Sequence, residues 1–201
     1  MATIAKISNG ASAASAINYA LGHDRPMHEK TEQWLQDNQL ERPVELAKCR
    51  AVAVGGTNGI DPFIAKEQFD VVRQLHNQTK ESNQVLRITQ SFALNELNPK
   101  IQNDWQKAND LGVELAEKLY PNHQSAVYTH LDGKNHVLHN HIIVNKVNLE
   151  TGKKLREKKG ESVQRARELN DQIAFRENWY ILEPPKERQT DTEKELLAKN
   201  E

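Results

Sequence analysis

The 201-residue chain lacks several features, and each absence narrows the class of protein. The single cysteine, Cys49, excludes an internal disulfide framework and fits the reducing cytoplasm. No apolar run approaches the roughly 18 residues of a membrane-spanning helix, so we expect no membrane insertion. The first ten residues, MATIAKISNG, lack the charged start and the apolar stretch of a secretory signal. Since the net charge is only −1, any DNA-binding surface has to be local.

Length and composition predict one domain followed by a polar tail. Hydrophobic residues make up 37% of the chain and charged residues 27%, which fits a compact core with polar loops. We place the domain at residues 1–182. Residues 183–201, EPPKERQTDTEKELLAKNE, are interrupted by proline and highly charged. They are predicted to be a linker or a tail that leads to a further region.

The order of the predicted elements indicates an α+β fold. Ser12 can cap a first helix that Gly22 ends, and Asp61 can cap a later helix that has a proline at its first position. Residues 23–61 are expected to be irregular, apart from a short helical piece around 44–53. Strands are predicted at 2–8, 83–94, 125–130 and 136–148, and further helices at 98–121 and 161–179. This order predicts a central antiparallel sheet of about five strands flanked by helices.

A cluster of histidines lies in residues 129–148, THLDGKNHVLHNHIIVNKVN. In a strand, side chains two apart share a face, so His139 and His141 point the same way. The hairpin signal that begins at Asp132 can bring His130, on the preceding strand, opposite that pair. Three imidazoles from adjacent strands would form an open site for a divalent cation. The alternative at this point is a set of surface histidines on an exposed sheet face.

The ligand type bears on the identity of the cation. Magnesium prefers oxygen ligands, so of the two expected cofactors, Mn²⁺ and Mg²⁺, manganese suits three imidazoles better. Asp132, two residues after His130, can orient one of the rings through its second nitrogen, as carboxylates near metal sites often do. The alternative role of Asp132 is that of a hairpin residue ahead of Gly133.

The same segment resembles a motif of a known enzyme family. A His-x-Asp pair, His130 and Asp132, is followed by a His-x-His pair, His139 and His141, and then by Asn145. This pattern is similar to the third motif of plasmid mobilisation relaxases, which belong to the HUH endonuclease superfamily. Of the motifs in this chain, it is the most specific.

Two further segments agree with the same family. INYALG, which contains Tyr19, resembles the nucleophile motif, a tyrosine on an early helix after the first strand. ITQSFALNE, which contains Ser91, resembles the second motif. The order of tyrosine, Ser-Phe and histidine-rich strand is that of the relaxase branch, whereas replication initiators of the superfamily place the histidine motif first. The resemblance spans residues 1 to about 180.

The resemblance implies a reaction and its partners. Tyr19 would attack a phosphodiester at a plasmid origin of transfer, leaving a 5′-phosphotyrosine and a free 3′-hydroxyl that can be rejoined without ATP. The cation would polarise the scissile phosphate, and Asp132 could accept the proton of Tyr19. The expected partners are origin DNA, as a hairpin with a single-stranded flank, accessory mobilisation proteins and a coupling protein. The expected location is the cytoplasm of a plasmid-bearing bacterium.

Local positive charge predicts where DNA binds. Residues 151–167, TGKKLREKKGESVQRAR, hold seven Lys or Arg against two Glu and directly follow the histidine strand. Such a cluster gives salt-sensitive affinity for phosphates, although a solvated loop and helix face is the alternative. The expected DNA contacts are Ser91 near the cut, Asn145 of the third motif, and the basic residues Lys134, Lys146, Lys153, Lys154 and Arg156.

Two other functions fit the same residues. A metal-dependent nuclease that activates water would keep the histidines, make Tyr19 dispensable and leave no protein–DNA adduct. A non-catalytic DNA-binding module would use the histidines only to hold the hairpin together, and would need a closed shell of four ligands. Three ligands on an open sheet face argue against that module.

Overall fold

The computed structural model describes residues 2–22, 25–80, 82–158 and 160–181. Its strands are β1 (Thr3–Gly10), β2 (Ala53–Thr57), β3 (Val85–Ser91), β4 (Ser125–His130) and β5 (His139–Asn145). Its α-helices are α1 (Ala13–Leu21), α2 (Glu29–Asp37), α3 (Ala65–Leu75), α4 (Gln102–Leu119) and α5 (Glu161–Arg176). The strands form one antiparallel sheet in the order β1-β3-β5-β4-β2, which confirms the predicted class and strand number. The predicted tail at 183–201 lies outside the described residues.

Both faces of the sheet carry helices, because side chains alternate between the two faces along each strand. Helices α4 and α5 pack on one face, where the buried core includes Ile88, Trp105 and Ile142. Helices α1 and α3 belong to a second core on the opposite face, together with Tyr128 and Ile143. The two rows of side chains on β5, the central strand, therefore face different layers of helices.

Helix α1 begins and ends where the sequence predicts. The side-chain oxygen of Ser12 accepts a hydrogen bond from the backbone N–H of Ser15, which satisfies one of the free donors of the first turn. Gly22 ends the helix with a φ of 105°, a left-handed conformation that glycine adopts without steric cost. Ile17 is fully buried against the sheet. The caps and this anchor fix the turn that carries Tyr19.

Helix α4 is the longest of the described helices and is amphipathic. Trp105 and Leu115 are buried in the core, whereas Gln106 and Lys107 are exposed on the other side. None of the helices in the described part of the chain combines the length and the apolar character needed to cross a bilayer.

The region predicted to be irregular, residues 23–61, contains a helix and a strand. Helix α2 has a weak apolar pattern, since Trp34 and Leu35 are the apolar residues in its sequence, EKTEQWLQD. Only Thr31 and Leu35 of its nine residues are buried. Strand β2 contains two adjacent glycines, which have low strand propensity. A Cβ atom on Gly55 would come within 2.8 Å of the Val113 side chain, so glycine allows α4 to pack close to this edge strand. Tertiary packing therefore decides a strand that the local sequence does not favour.

Two boundaries also differ from the prediction. Helix α3 begins at Ala65 and not directly after Asp61, because the Asp61 carboxylate accepts a hydrogen bond from the N–H of Phe63 in a turn that precedes the helix. Strands β4 and β5 are joined by residues 131–138, which include a 3₁₀ turn at Lys134–His136, and not by a tight hairpin. The longer connection leaves the two strands paired to their ends.

Candidate active site

Three histidines converge at one end of the central pair of strands. His130, the last residue of β4, pairs directly with His139, the first residue of β5. His141 lies two residues further along, opposite Tyr128. The three ring centroids are 4.5, 5.2 and 5.5 Å apart, and one nitrogen of each ring lies within 4.8 Å of the others. The arrangement predicted from strand parity is therefore present.

Backbone carbonyls decide which nitrogen of two rings can bind a cation. Nε2 of His130 is 2.6 Å from the carbonyl oxygen of Ala20, and since a carbonyl only accepts, this nitrogen carries the proton. Its Nδ1 is buried and has no hydrogen-bond partner among the described residues. Nδ1 of His139 likewise donates to the carbonyl of Val137 at 3.2 Å, which leaves Nε2 as the free nitrogen. An unpaired buried nitrogen beside two other imidazoles fits a cation ligand set.

Burial keeps the rings neutral. Loss of solvent lowers the pKa of His139, lowers that of His141 to about 4, and lowers that of His130 well below its ordinary value. The neighbouring imidazoles add to the effect at His130 and His141, because protonated rings would repel one another. At neutral pH each ring therefore offers a lone pair without competition from a proton.

Asp132 lies on the side of the free nitrogens. One carboxylate oxygen, Oδ1, is 3.7 Å from Nδ1 of His130 and 3.5 Å from Nε2 of His139. The other, Oδ2, accepts hydrogen bonds from the Nε and Nη2 groups of Arg50. The expectation that Asp132 orients a ring through its second nitrogen is wrong for His130 and His139, because backbone carbonyls take up those nitrogens.

Tyr19 stands beside this cluster on α1. Its ring is 6.0 Å from the ring of His141 in an edge-on arrangement, and 38% of the residue is exposed. The guanidinium carbon of Arg50 lies 4.7 Å from the centre of the Tyr19 ring, and that of Arg25 lies 5.9 Å from it. A phenol at the edge of the histidine cluster is therefore accessible to a large substrate.

The other tyrosines occupy different surroundings. The hydroxyl of Tyr120 donates to Glu157 at 2.9 Å, and that of Tyr128 donates to the carbonyl of Pro62 at 2.8 Å. Both side chains are buried, and burial raises the pKa of each hydroxyl. Tyr180 is exposed and follows the end of α5, which packs on the opposite face of the sheet. Within the described ranges, Tyr19 is thus the tyrosine in ring contact with a member of the histidine cluster, His141.

A buried polar layer supports the histidine strands from below. Asn140, between two of the histidines, points to the opposite face of the sheet and is completely buried. Its amide oxygen accepts a hydrogen bond from Thr129 on β4 at 2.7 Å, and its amide nitrogen donates to Gln90 on β3 at 2.9 Å and to the carbonyl of Ala108 on α4 at 2.6 Å. These bonds tie three strands and a helix together and so limit movement of the rings above.

Two of the expected DNA contacts lie at the histidine end of the sheet. Ser91, the last residue of β3, pairs directly with His139 and is half-buried on the same face. Lys134 is exposed in the connection between β4 and β5. Both side chains are therefore close enough in the fold to meet a strand of DNA that reaches the site.

The predicted DNA contact at Asn145 is wrong. Asn145 is completely buried at the far end of β5, under α3. Its amide nitrogen donates to Gln124 at 3.2 Å and to the carbonyl of Phe69 at 3.4 Å, and its oxygen accepts from the N–H of Val147 at 3.3 Å. Every polar atom of this side chain is thus used within the protein, so it stabilises the fold and offers nothing to a phosphate.

The basic segment lies at the opposite end of the sheet from the histidines. Lys146 follows β5 and donates to Asn9 at 2.8 Å, Lys154 donates to a backbone carbonyl, and Lys153 and Arg156 are exposed. Seven residues of strand separate the two ends by roughly 20 Å. Adjacency in sequence therefore does not bring this charge to the cluster, although a longer DNA strand could reach both.

Three basic residues on the histidine face are absent from the sequence prediction. Arg87 shares the face of Ser91 on β3, and Lys6 on β1 pairs with Thr89, which in turn pairs with His141. Arg87 and Lys6 are exposed. The two-residue period along β3 is a signal that could have identified Arg87. Arg50 had no such signal, because it lies in a segment without a predicted strand.

Comparisons with known proteins show which sequences and structures this chain resembles. The model of the MobA/VirD2-like relaxase nuclease domain matches residues 35–179. Two curated proteins from Staphylococcus aureus, each called Protein rlx, are 40% identical over 159 residues and 37% identical over 161 residues. Each match covers 79% of this chain, but only 45% and 47% of the relatives. A solved structure described as "Molecular Basis of Vancomycin Resistance Transfer in Staphylococcus aureus" is 13% identical, with a TM-score of 0.47 over 88% of this chain and 95% of the other.

The chain therefore belongs to the relaxases of the MobA/VirD2-like nuclease family. It spans less than half the length of the curated relatives that it matches. The matched range includes Asp132 and the three histidines but begins after Tyr19. The family predicted from the motifs is thus confirmed, whereas the role of Tyr19 stays a prediction.

Proposed function

We propose that this chain cleaves and rejoins one DNA strand by transesterification through Tyr19. The phenol oxygen forms a bond to the phosphorus of a phosphodiester, the bond from phosphorus to the 3′ oxygen breaks, and this oxygen takes up a proton. The products are a 5′-phosphotyrosine and a free 3′-hydroxyl, and attack by that hydroxyl reverses the step. The supporting observation is an exposed tyrosine in edge contact with a cluster of three imidazoles.

The cluster would hold a divalent cation through Nδ1 of His130, Nε2 of His139 and a nitrogen of His141. Either Mn²⁺ or Mg²⁺ is the proposed ion, and imidazole ligands favour Mn²⁺. When bound, such an ion supplies Lewis-acid polarisation of a phosphate oxygen. Because all three rings are neutral, they leave the full charge of the ion to act on the phosphate.

We assign Asp132 as the acceptor of the Tyr19 proton. Its side chain is 8% exposed and lies in the same cluster as the tyrosine, with Arg50 in contact with both. The Oδ2 atom is engaged by Arg50, so Oδ1 is the oxygen with free lone pairs on the side of the histidines. A general base needs this proximity before its pKa matters.

The uncovered part of the sheet face is the proposed path of the DNA strand. Rows of side chains lead from β1 across β3 to the histidines, with Lys6 and Thr89 in one row and Ser91 in the next. Arg87 adds a second positive charge, and Lys134 adds one from the connection beyond the strands. Hydroxyl and cationic groups of this kind bind phosphates without reading sequence.

The proposed substrate is a plasmid origin of transfer, presented as a hairpin with a single-stranded flank. Support comes from the relaxase family and from relatives called Protein rlx. Accessory mobilisation proteins and a coupling protein are the proposed partners. They belong to the activity of a whole relaxase, whose nuclease domain residues 35–179 match.

A cleavage assay tests the mechanism. The protein is incubated with Mn²⁺ and origin DNA from its own plasmid, and the products are separated on denaturing gels. We expect strand cleavage and a covalent protein–DNA adduct. Tyr19→Phe removes the hydroxyl while keeping the ring, so both products should disappear, whereas Tyr180→Phe should behave as the unaltered protein.

The same gels separate the alternatives. Cleavage without an adduct that persists in Tyr19→Phe would show that water is the nucleophile and that the chain is a metal-dependent nuclease. Binding of origin DNA without cleavage would show a DNA-binding module. His139→Ala should abolish cleavage in either enzyme, so it reports on the cation site and not on the nucleophile.

A further inference from the structure

Arg50 lies between two residues of the proposed reaction, Tyr19 and Asp132, and none of the sequence motifs contains it. Its Nε and Nη2 groups donate to Oδ2 of Asp132, and its guanidinium carbon is 4.7 Å from the Tyr19 ring. Side-chain exposures of 16% for Arg50 and 8% for Asp132 place this pair largely away from solvent. The orientation of the Arg50 guanidinium is fixed, because the edge that carries Nε and Nη2 is bound to the Asp132 carboxylate.

The backbone of Arg50 is fixed against the helix that carries Tyr19. Its N–H donates to the carbonyl of Leu21, the last residue of α1, at 3.0 Å. Gly22 makes this approach possible, because a Cβ atom there would overlap the backbone nitrogen of Arg50. Two residues after Arg50, the N–H of Val52 joins the sheet through the carbonyl of Thr129 at 2.8 Å. The arginine is thus anchored to both elements that must be aligned, α1 and β4.

We propose that Arg50 is a positioning residue for cleavage: it holds the Tyr19 phenol and the Asp132 carboxylate in one fixed arrangement beside the histidine cluster. This inference rests on the proposed function of Tyr19. The guanidinium lies against the Tyr19 ring while it donates to Asp132, so one side chain contacts both groups. Burial lowers the pKa of Arg50, but the charge of Asp132 and the interactions with Asp132 and Tyr19 raise it above its ordinary value, so the side chain stays charged.

The position of the Tyr19 phenol affects the cleavage rate because its oxygen has to approach the phosphorus in line with the leaving 3′ oxygen. A misplacement of about 1 Å can cost roughly a hundredfold in rate. Tyr19 is 38% exposed, so packing alone leaves its ring partly unsupported. A lysine in place of Arg50 would keep the charge but lose the planar fork that donates to Asp132 while it lies against the Tyr19 ring.

A matched control exists in the same segment. Arg42 is also largely buried, at 12% side-chain exposure, and pairs with Glu32 at 2.7 Å. It also donates to the carbonyl of Cys49, the residue before Arg50, so its guanidinium bonds go to partners other than Tyr19. Arg42→Lys therefore alters an arginine of similar side-chain exposure, paired with the more exposed Glu32, without touching the proposed nucleophile.

The test measures the single-turnover rate of adduct formation, the Kd for origin DNA and the Kd for Mn²⁺ in Arg50→Lys and Arg42→Lys. We expect Arg50→Lys to lower the rate about 10- to 100-fold while both Kd values stay within about twofold. Arg42→Lys should keep the rate within about twofold. Arg50→Gln is the second variant if urea unfolding shows that the lysine variant does not fold.

A double-mutant cycle with Asp132→Asn adds a readout that a purely structural role would not move. If Arg50 acts through Asp132, the rate loss of the double variant should be smaller than the product of the two single losses. Wild-type rates in both Arg50 variants, an equal loss in Arg42→Lys, or a parallel loss of Mn²⁺ affinity would each overturn the proposal. The unaltered protein tells the two possible failures apart. If it forms no Tyr19 adduct, the proposed function fails; if it forms the adduct and the Arg50 variants give one of the results above, only the role of Arg50 fails.

Discussion

At the scale of single residues, the site depends on imidazoles that burial keeps neutral. His130 has one nitrogen on a backbone carbonyl, and the other has no hydrogen-bond partner in the part of the chain that the structure describes, a combination that is costly unless something occupies that nitrogen. His139 repeats the pattern with a carbonyl of its own strand connection. Both rings are thus pre-oriented before any ion arrives. This pre-orientation is worth more for affinity than the presence of histidine alone.

The lowered pKa values predict a pH dependence of stability for the metal-free protein. In the unfolded chain, histidine titrates near 6.5, whereas in the folded protein the pKa of His141 is about 4 and those of His130 and His139 are also lowered. Below pH 6.5 the unfolded state binds more protons, so the free energy of unfolding should fall as the pH falls from 6.5 towards 4, with no contribution from these groups above 6.5.

Urea unfolding in EDTA at pH 7.5 and pH 5.0 measures this effect. The unfolding midpoint should be lower at pH 5.0, and the decrease should be smaller in His141→Gln, which has no proton to gain at that position. An equal decrease in His141→Gln and in the unaltered protein would contradict the assignment. His123 is buried with a lowered pKa as well, so some dependence should persist in the variant.

At the scale of elements, the distance between α4 and the sheet is set by Gly112. A Cβ atom there would lie 2.8 Å from the side chain of Val127 and would overlap the amide of Asn140. The same amide joins β5 to β3 and β4 through its hydrogen bonds. A small residue on α4 therefore keeps the polar layer under the histidines intact.

Gly112→Ala should consequently destabilise the protein. The substitution adds about 1 kcal/mol of helix propensity, but the methyl group has to displace Val127 and Asn140 from a closely packed core, which typically costs about 1–3 kcal/mol. We expect a net loss in the free energy of unfolding, measured by urea titration. Asn103→Ala, at an exposed position of the same helix, should change it by less than about 0.5 kcal/mol. A stabilised Gly112→Ala variant would show that α4 can move away without cost.

At the scale of the whole molecule, positive charge is divided between the histidine face of the sheet and the segment beyond the far end of β5. Lys6 and Arg87 lie on the histidine face, whereas Lys153 and Arg156 lie beyond the far end of β5. The proposed DNA path uses the first pair directly. The second pair can contact only DNA that extends past the cleavage site by roughly 20 Å.

The two pairs should therefore respond differently to the length of the DNA. Lys6→Ala with Arg87→Ala should weaken binding of a short oligonucleotide around the cut. The slope of log affinity against log salt should fall by about one for each phosphate that the protein no longer neutralises. Lys153→Ala with Arg156→Ala should leave that binding unchanged. Filter binding at several salt concentrations checks both, and equal weakening by the second pair on the short oligonucleotide would contradict the proposed path.

Local sequence rules determined much of the fold and the histidine half of the site. The period of two along β5 places His139 and His141 on one face regardless of the rest of the protein, and Ser12 and Gly22 fix the ends of α1 through the backbone bonds that they make or permit. These features depend on neighbours within a few residues. For that reason the class of fold, the three histidines and the family could be predicted from the sequence.

Only the tertiary structure decided which distant side chains meet. Arg50 reaches Asp132 and Tyr19 across 82 and 31 positions of sequence because α1 ends against its backbone, an approach that no local pattern encodes. Asn145 follows the face of the histidines, yet α3 buries it, so the DNA contact expected from its place in the third motif is not made. Strand periodicity fixes the direction of a side chain, whereas the packing of the helices fixes whether solvent, a partner or the core receives it.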